Sequence, residues 1–167
     1  AVTWGEQSPS HALYLPWILP IFPRAKFLHL VRDGRDVIAS WLETFGPLAL
    51  EDGTYRWIQS IKNVQALRKN IGPNQLLEIR YEELVAHPAE VLELISGHMG
   101  IEYTAKMLDY WKLPSTLEYK YQVHHRNLNK PVFTSSVGKW KERLTQEQQI
   151  YVMSKISNLL ETLGYTL

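Results

Sequence analysis

The segment from Phe27 to Ser40, FLHLVRDGRDVIAS, changes its hydrophobic period in the middle, and this change restricts the fold more than any other feature of the chain. Its first five residues, Phe27 to Val31, form the short apolar run expected of a buried parallel strand. From Val37 onward, apolar residues recur at helical spacing. The segment therefore predicts a strand, a short turn at residues 32–34 and a helix, as in α/β proteins with a parallel sheet.

The turn between the predicted strand and helix suits a bound anion. Free backbone N–H groups and the positive end of the helix dipole favour negative charge there, and Arg32 at the strand tip can grip two oxygens at once. Ser40 lies eight residues further on, about two helical turns into the helix, near enough to add a hydroxyl donor. The alternative is an ordinary turn surrounded by a solvated cluster of mutually paired charges, namely Arg32, Asp33, Arg35 and Asp36.

The same segment resembles the 3′-phosphate-binding motif of the sulfotransferases that use 3′-phosphoadenosine 5′-phosphosulfate (PAPS). In that family, an Arg at a strand end and a Ser eight residues later hold the 3′-phosphate. Arg32 and Ser40 occupy these two positions. The resemblance implies that PAPS, or adenosine 3′,5′-bisphosphate, is the cofactor and that both residues bind it.

A second segment, Gln75 to Leu84, resembles the second core strand of the family followed by its Tyr-Glu pair. Tyr81 falls where the family places an aromatic residue beside the adenine. A Tyr at the carboxyl end of a parallel strand can stack on a base while its hydroxyl stays polar. The alternative is a Tyr wedged between strand and helix.

A third segment, Lys130 to Lys141, reads KPVFTSSVGKWK and resembles the C-terminal cofactor loop of bacterial and tyrosylprotein-type sulfotransferases. It follows the Ser-containing branch of the family rather than the cytosolic branch, which has Arg-Lys-Gly at the start of this loop. Small residues let the backbone approach phosphate, hydroxyls donate to it, and a Lys adds a point charge. The cofactor-binding residues implied here are Ser135, Ser136, Gly138, Lys139 and Trp140. Taken alone, the segment is a polar loop running into a helix.

The beginning of the chain, Thr3 to His11, resembles the family segment that usually reads Glu-Lys-Thr-Pro or Lys-Thr-His. Gln7 occupies the position of the Lys that reaches the bridging region of the cofactor; it can donate a hydrogen bond but carries no charge. Pro9 aligns with the catalytic His of the cytosolic branch. Glu6 and His11 are therefore the nearby candidates for the base.

The resemblance implies an α/β, P-loop-kinase-like three-layer fold with a central parallel sheet. In the family, a strand, a phosphate-binding loop and a helix precede the segments seen here, and no G-x-x-x-x-G-K-[ST] pattern occurs among the 167 residues. We therefore expect an N-terminally truncated domain that lacks the 5′-phosphosulfate loop, with residues 1–167 forming one domain, the C-terminal part of the catalytic domain.

Composition excludes several classes of function. A net charge of +1 gives no case for nucleic-acid binding. The absence of cysteine excludes disulfides and thiolate metal sites and fits a reducing or bacterial setting, and we expect a cytoplasmic protein. The adjacent His124 and His125 are read as loop residues, and we predict no metal. The apolar run from Leu13 to Phe22 is interrupted by two prolines and is shorter than the ~20 residues of a membrane span, so it predicts a short packed helix.

Several helices have clear termini in the sequence. Asp52 is expected to cap a helix that ends at Gly72 and Pro73. Pro88 predicts the start of another helix, and Gly100 its end. Thr145 and Gln148 form a capping box for the last helix. An aromatic-rich link from Tyr103 to Tyr121 has no regular period, and in the family such a region borders the acceptor; its aromatic residues are also consistent with simple packing.

The resemblance implies sulfuryl transfer from PAPS to a hydroxyl or amine of a small-molecule, glycan or protein acceptor. Two alternatives remain from the sequence. A catalytically silent nucleotide-binding or interaction module would retain the 3′-phosphate site, and both Gln7 and the missing phosphate-binding loop favour it. A small-molecule kinase of related fold is disfavoured by the lack of a Walker lysine.

Overall fold

The computed structural model describes residues 4–112 and 130–167. In these ranges, two strands and seven α-helices follow one another along the chain. The elements are α1 (His11–Ile21), β1 (Phe27–Val31), α2 (Gly34–Phe45), α3 (Leu50–Arg68), β2 (Leu76–Arg80), α4 (Tyr81–Ala86), α5 (Pro88–Met99), α6 (Trp140–Arg143) and α7 (Gln146–Thr162). Two 3₁₀ helices lie at Pro47–Ala49 and Ala105–Lys112.

The two strands pair in parallel, with Phe27 opposite Leu76 and Val31 opposite Arg80. The predicted strand, turn and helix after Phe27 are therefore confirmed, as is the parallel arrangement. Because the strands run in the same direction, both carboxyl ends lie at one edge of the sheet. Whatever follows Val31 and Arg80 in sequence is thus brought together in space.

Two apolar clusters hold the helices on the sheet. The larger one forms where α2, α3 and α7 meet β1, and its fully buried side chains include Ile38, Val152, Ile156 and Leu160. The smaller one lies between α1, α3 and the beginnings of the strands; it contains Leu15, Val64 and Leu67. The Leu13–Phe22 run thus forms a short packed helix, as predicted.

The predicted helix ends agree with the structure in two cases and differ in one. Pro88 begins α5, Gly100 ends it in a left-handed conformation, and the Thr145–Gln148 capping box begins α7. The prediction that Asp52 caps α3 was wrong. The 3₁₀ helix before α3 continues directly into it, so the helix begins at Leu50, and the Asp52 carboxylate pairs instead with Arg56 at 2.9 Å. The helix also ends earlier than predicted, at Arg68.

Candidate functional site

The candidate site lies at the carboxyl ends of the two strands. Arg32 follows β1 directly, and Tyr81 follows β2 as the first residue of α4. The Arg32 guanidinium carbon lies 4.7 Å from the centre of the Tyr81 ring, the geometry of a cation–π contact. Arg32 and Tyr81 therefore lie next to each other, as the parallel strands predicted.

The Arg32 side chain donates a hydrogen bond to a backbone carbonyl, and other N–H groups of its guanidinium remain available as donors. Its exposed fraction is 20%, and its Nη2 donates to the Ser136 carbonyl oxygen at 2.6 Å. Its Nε is buried and has no hydrogen-bond partner in the described part of the chain. A buried donor without a partner costs about 1–3 kcal/mol, so an acceptor entering the site would relieve this cost.

A cleft of about 720 Å³ opens beside Arg32. One part of its wall is polar or charged and comprises Arg32, Ser40, Glu43, Thr44, Tyr81, Ser136 and Arg143. The remaining wall is mostly apolar, from α4, α5 and the segments around residues 107–110 and 132–133. Ser40 is half-buried on α2 and faces the same cleft as Arg32, as the motif predicts. A polar end beside an apolar wall suits a ligand that carries both an anion and a flat ring.

The turn before α2 is less available to an anion than the sequence suggested. Asp33 caps the helix, because its carboxylate accepts the Arg35 N–H at 2.9 Å. The N–H of Asp33 itself donates to Glu82 at 3.1 Å. Two carboxylates therefore already occupy the N–H groups of Asp33 and Arg35 at this turn, which leaves fewer backbone donors for an anion.

The four charges of the turn are paired, and three of the four residues are buried. Asp33, Arg35 and Asp36 are all buried, and Arg35 forms a bidentate pair with Asp33, with Nη2 to Oδ2 at 2.8 Å. The Arg35 guanidinium also lies 4.4 Å from the centre of the Trp140 ring. The alternative predicted a solvated cluster of charges, which was wrong because most of the cluster is buried. The cluster instead joins the turn to the loop that precedes α6.

That loop is anchored to α2 by one carboxylate. Asp36 accepts the Gly138 N–H at 2.7 Å and the Trp140 N–H at 2.8 Å, and the residue is 1% exposed. Gly138 has φ of +74°, a conformation that glycine adopts at little cost. Ser136, two residues earlier, contacts Arg32 through its carbonyl. The sequence predicted this loop near the cofactor but gave no role to Asp36, because the partners of its carboxylate lie more than 100 positions away.

The remaining loop residues face a second, adjoining depression. It is lined by Lys130, Ser135, Ser136, Lys139 and Arg143, among others. Arg143 borders both the cleft and this depression and pairs with Glu43 at 2.9 Å. Lys139 pairs with Glu142 at 3.2 Å. Of the predicted cofactor-binding residues, Arg32, Ser40, Tyr81 and Ser136 line the cleft, and Ser135 and Lys139 line the adjoining depression. Gly138 and Trp140 instead donate their backbone N–H groups to Asp36 and so hold the loop.

The three candidate residues for the chemical step lie apart from the cleft wall. Glu6 and Gln7 are exposed before α1, and His11 begins that helix in a half-buried position. None of the three lines the cleft around Arg32. Asn63 of α3 holds this region by donating to the carbonyl of Ala12 at 3.0 Å. Their catalytic roles remain predictions.

Glu82 and Tyr165 support the turn that carries Arg32, and the sequence did not predict this role for either residue. Glu82 accepts the Asp33 N–H through one oxygen and the Tyr165 hydroxyl through the other, at 2.9 Å. Burial raises the pKa of Tyr165 above its usual value, and the Glu82 carboxylate raises it further. The Tyr-Glu pair was visible as part of a motif, but its connection to Tyr165 depends on the fold.

Tyr110, from the aromatic-rich link, lines the cleft and donates to the Lys130 carbonyl at 2.9 Å. Tyr119, Tyr121, His124 and His125 lie outside the described residues. Within residues 4–112 and 130–167, no cluster of His, Asp or Glu could hold a metal ion. A search of the same residues finds no helix with the length and apolar character needed to cross a membrane.

A sequence profile described as the sulfotransferase family matches residues 1–105, more than half of the chain. The matched range includes the Arg32 and Tyr81 motifs. The chain belongs to the sulfotransferase family. A putative protein-tyrosine sulfotransferase of Caenorhabditis briggsae is 31% identical over 113 residues, covering 65% of this chain and 40% of that protein. Protein-tyrosine sulfotransferase 2 of Gallus gallus is 27% identical over 155 residues, covering 87% of this chain and 42% of that protein.

A solved structure agrees with this assignment. The sulfotransferase domain of the Synechococcus PCC 7002 olefin synthase superposes with a TM-score of 0.71 at 26% identity, covering 97% of this chain and 58% of that one. The α/β sulfotransferase fold expected from the sequence is therefore confirmed. The chain spans less than half the length of the two curated relatives.

Proposed function

We propose that the cleft binds the adenosine 3′-phosphate part of PAPS and that the protein acts in sulfuryl transfer. The observation that carries the proposal is the position of Arg32: it lies at the tip of β1, contacts Tyr81, and shares the cleft with the Ser40 hydroxyl, and its Nε has no partner among the described residues. A guanidinium can bind two phosphate oxygens at once, and a hydroxyl can donate to a third.

Tyr81 supports the adenine part of the proposal. Arg32 covers one face of its ring, so an adenine would stack on the opposite face. The apolar wall of the cleft then offers contact to the rest of the base. Ser136 would border the 3′-phosphate, while Lys139 and Ser135 in the adjoining depression would add donors near it.

The transfer itself needs few groups from the protein. When bound, PAPS supplies the sulfuryl group, and its S–O bond to the 5′-phosphate oxygen breaks as an acceptor oxygen or nitrogen attacks sulfur. By analogy with phosphoryl transfer, the chain contributes mainly positioning and hydrogen bonds. Gln7 would donate a hydrogen bond to the transferring group, and Glu6 or His11 would accept the acceptor's proton.

The acceptor is proposed as a hydroxyl or amine of a small molecule, a glycan or a protein. The relatives named protein-tyrosine sulfotransferases favour a phenolic hydroxyl among these. We propose a cytoplasmic setting, with which a composition without cysteine is compatible.

A second candidate is a nucleotide-binding module without turnover. Gln7, at the position where the family carries a Lys, favours it because an amide cannot neutralise the charge that develops on the leaving oxygen. Incubation with labelled PAPS and a phenolic acceptor separates the two: product formation supports the enzyme, and nucleotide binding without product supports the module.

Calorimetric titration tests the proposed site on the whole chain. We expect adenosine 3′,5′-bisphosphate to bind at least about tenfold more tightly than adenosine 5′-monophosphate, because a charge-assisted hydrogen bond contributes about 1.5–3 kcal/mol. Arg32→Ala should remove this preference. Arg56→Ala is the control, since the Arg56 side chain is 43% exposed, pairs with Asp52 and does not line the cleft. Equal binding of the two nucleotides to the unmodified chain would contradict the proposal.

A further inference from the structure

We propose that Asp36 is a positioning residue that fixes the loop of residues 136–140 against Arg32 and thereby sets the affinity for a 3′-phosphate. The inference rests on the function proposed above. It concerns a carboxylate that the family motif, as read from the sequence, left without a role.

The first step is the geometry of the carboxylate. Asp36 is 1% exposed, and each of its oxygens accepts one N–H of the loop, from Gly138 at 2.7 Å and from Trp140 at 2.8 Å. Hydrogen bonds from N–H groups to a carboxylate are stronger than those to a neutral acceptor. A buried carboxylate with both oxygens engaged in this way is a fixed anchor for the loop backbone.

The second step connects this anchor to Arg32. Asp36 lies one helical turn after Arg32, and its Oδ2 is 3.9 Å from Arg32 Nη2. The same Nη2 donates to the Ser136 carbonyl at 2.6 Å. Arg32, Ser136, Gly138 and Asp36 therefore form a closed ring of contacts. The orientation of the guanidinium and the position of the loop depend on each other through this ring.

The third step excludes a direct role in the chemistry. Asp36 does not line the cleft, whereas Arg32, Ser40 and Ser136 do. Its two oxygens are already occupied by the loop, so it acts on a ligand only through the groups that it positions. Loss of the anchor should weaken recognition of the 3′-phosphate and leave the adenosine contacts in place.

The experiment compares Asp36→Asn with the unmodified chain by two measurements. An amide keeps one accepting oxygen and replaces the other by an N–H₂ group, which cannot accept the second loop N–H. Hydrogen exchange should accelerate at least about tenfold at whichever of the Gly138 and Trp140 amides loses its acceptor, as expected when a protecting hydrogen bond is lost. In titration, adenosine 3′,5′-bisphosphate should bind at least about tenfold more weakly, while adenosine 5′-monophosphate binds within about twofold of the unmodified chain. Asp52→Asn, on the exposed face of α3, is the control and should change neither measurement.

A second variant disturbs the same loop with the carboxylate intact. Gly138 has φ of +74°, and an added Cβ would meet no atom within 4 Å. Gly138→Ala therefore acts through backbone conformation alone, and a left-handed alanine should weaken binding of the bisphosphate about fivefold to tenfold. Because the added Cβ meets no other atom, we expect Gly138→Ala to fold, and it tests the role of the loop even if Asp36→Asn does not fold.

The outcomes separate this inference from the function on which it rests. Unchanged exchange at the two amides in Asp36→Asn would overturn the anchor. Faster exchange with an undiminished preference for the bisphosphate would overturn its role in recognition, as would unchanged binding in Gly138→Ala. An unmodified chain without that preference would overturn the proposed function and the recognition role, and the exchange measurement would still decide whether Asp36 anchors the loop.

Discussion

Gly34, the first residue of α2, lies where the turn after β1 meets the core. A Cβ at this position would be 2.8 Å from Ile156 Cδ1 and 2.8 Å from Cε2 of Trp57. The Trp57 ring has little freedom to move, because its N–H donates to the Arg32 carbonyl at 3.2 Å. We expect Gly34→Ala to lower the free energy of unfolding by about 1–3 kcal/mol through overpacking, as measured by urea denaturation.

Gly97, an exposed helical glycine of α5, provides the matched control. An added Cβ there meets nothing within 4 Å, so Gly97→Ala should raise stability by about 0.5–1 kcal/mol. A Gly34→Ala variant as stable as the unmodified chain would show that Trp57 and the Arg32 carbonyl can shift at no cost.

The sequence predicted those site residues whose position follows from the local pattern around them. Arg32 and Ser40 could be placed because a change of hydrophobic period locates the strand tip and the helix, and Tyr81 because it follows the second strand. Asp36 could not be assigned, because its role depends on two N–H groups that are 102 and 104 positions away. Spacing along the chain reveals which residues share an element, but not which distant loop an element holds.

At the scale of elements, α7 carries three side chains with no exposed surface into the main core, namely Val152, Ile156 and Leu160. Its start is set by the Thr145 hydroxyl, which accepts the Gln148 N–H at 3.2 Å. We expect Thr145→Ala to lower the free energy of unfolding by about 1 kcal/mol, because that N–H loses its partner. Chemical denaturation measures the loss.

The control for the cap is Thr145→Ser, which keeps the hydroxyl and should change stability by no more than a few tenths of a kcal/mol. If the Ala and Ser variants unfolded at the same denaturant concentration, the capping box would make no net contribution. The start of α7 was predicted from the sequence, since both partners of the box are local. The start of α3 was not, because continuity with the preceding 3₁₀ helix decided it.

At the scale of the molecule, the last described residues are bound to the first turn of α2 and to the end of β2. Arg35 Nη2 donates to the Thr166 carbonyl at 2.7 Å, and Arg80 Nη1 donates to the Gly164 carbonyl at 3.3 Å. Tyr165 lies between them and donates to Glu82. The segment after α7 therefore supports the turn that carries Arg32, and it does so across sequence separations of more than 80 positions, which no local pattern could predict.

This arrangement predicts a pH dependence of stability at the alkaline end. Burial, together with the Glu82 carboxylate, raises the pKa of Tyr165 above its usual value of 10.0, so the folded chain keeps this phenol neutral where the unfolded chain would ionise it. The stabilisation is complete below about pH 10 and declines as the pH rises beyond it, by about 1.4 kcal/mol per pH unit until the folded-state pKa is reached.

The measurement is the free energy of unfolding of the unmodified chain and of Tyr165→Phe between pH 7 and 11. At pH 7 we expect the variant to be less stable by about 1–2 kcal/mol, because the hydrogen bond to Glu82 is lost. Above pH 10 the difference should shrink by up to about 1.4 kcal/mol per pH unit, since Phe does not ionise. Tyr55→Phe, at an exposed position, should follow the unmodified chain throughout. A difference that stayed constant over the whole range would mean that Tyr165 ionises equally easily in the folded and unfolded chains, and its contact with Glu82 would then not couple the end of α7 to the strand tips.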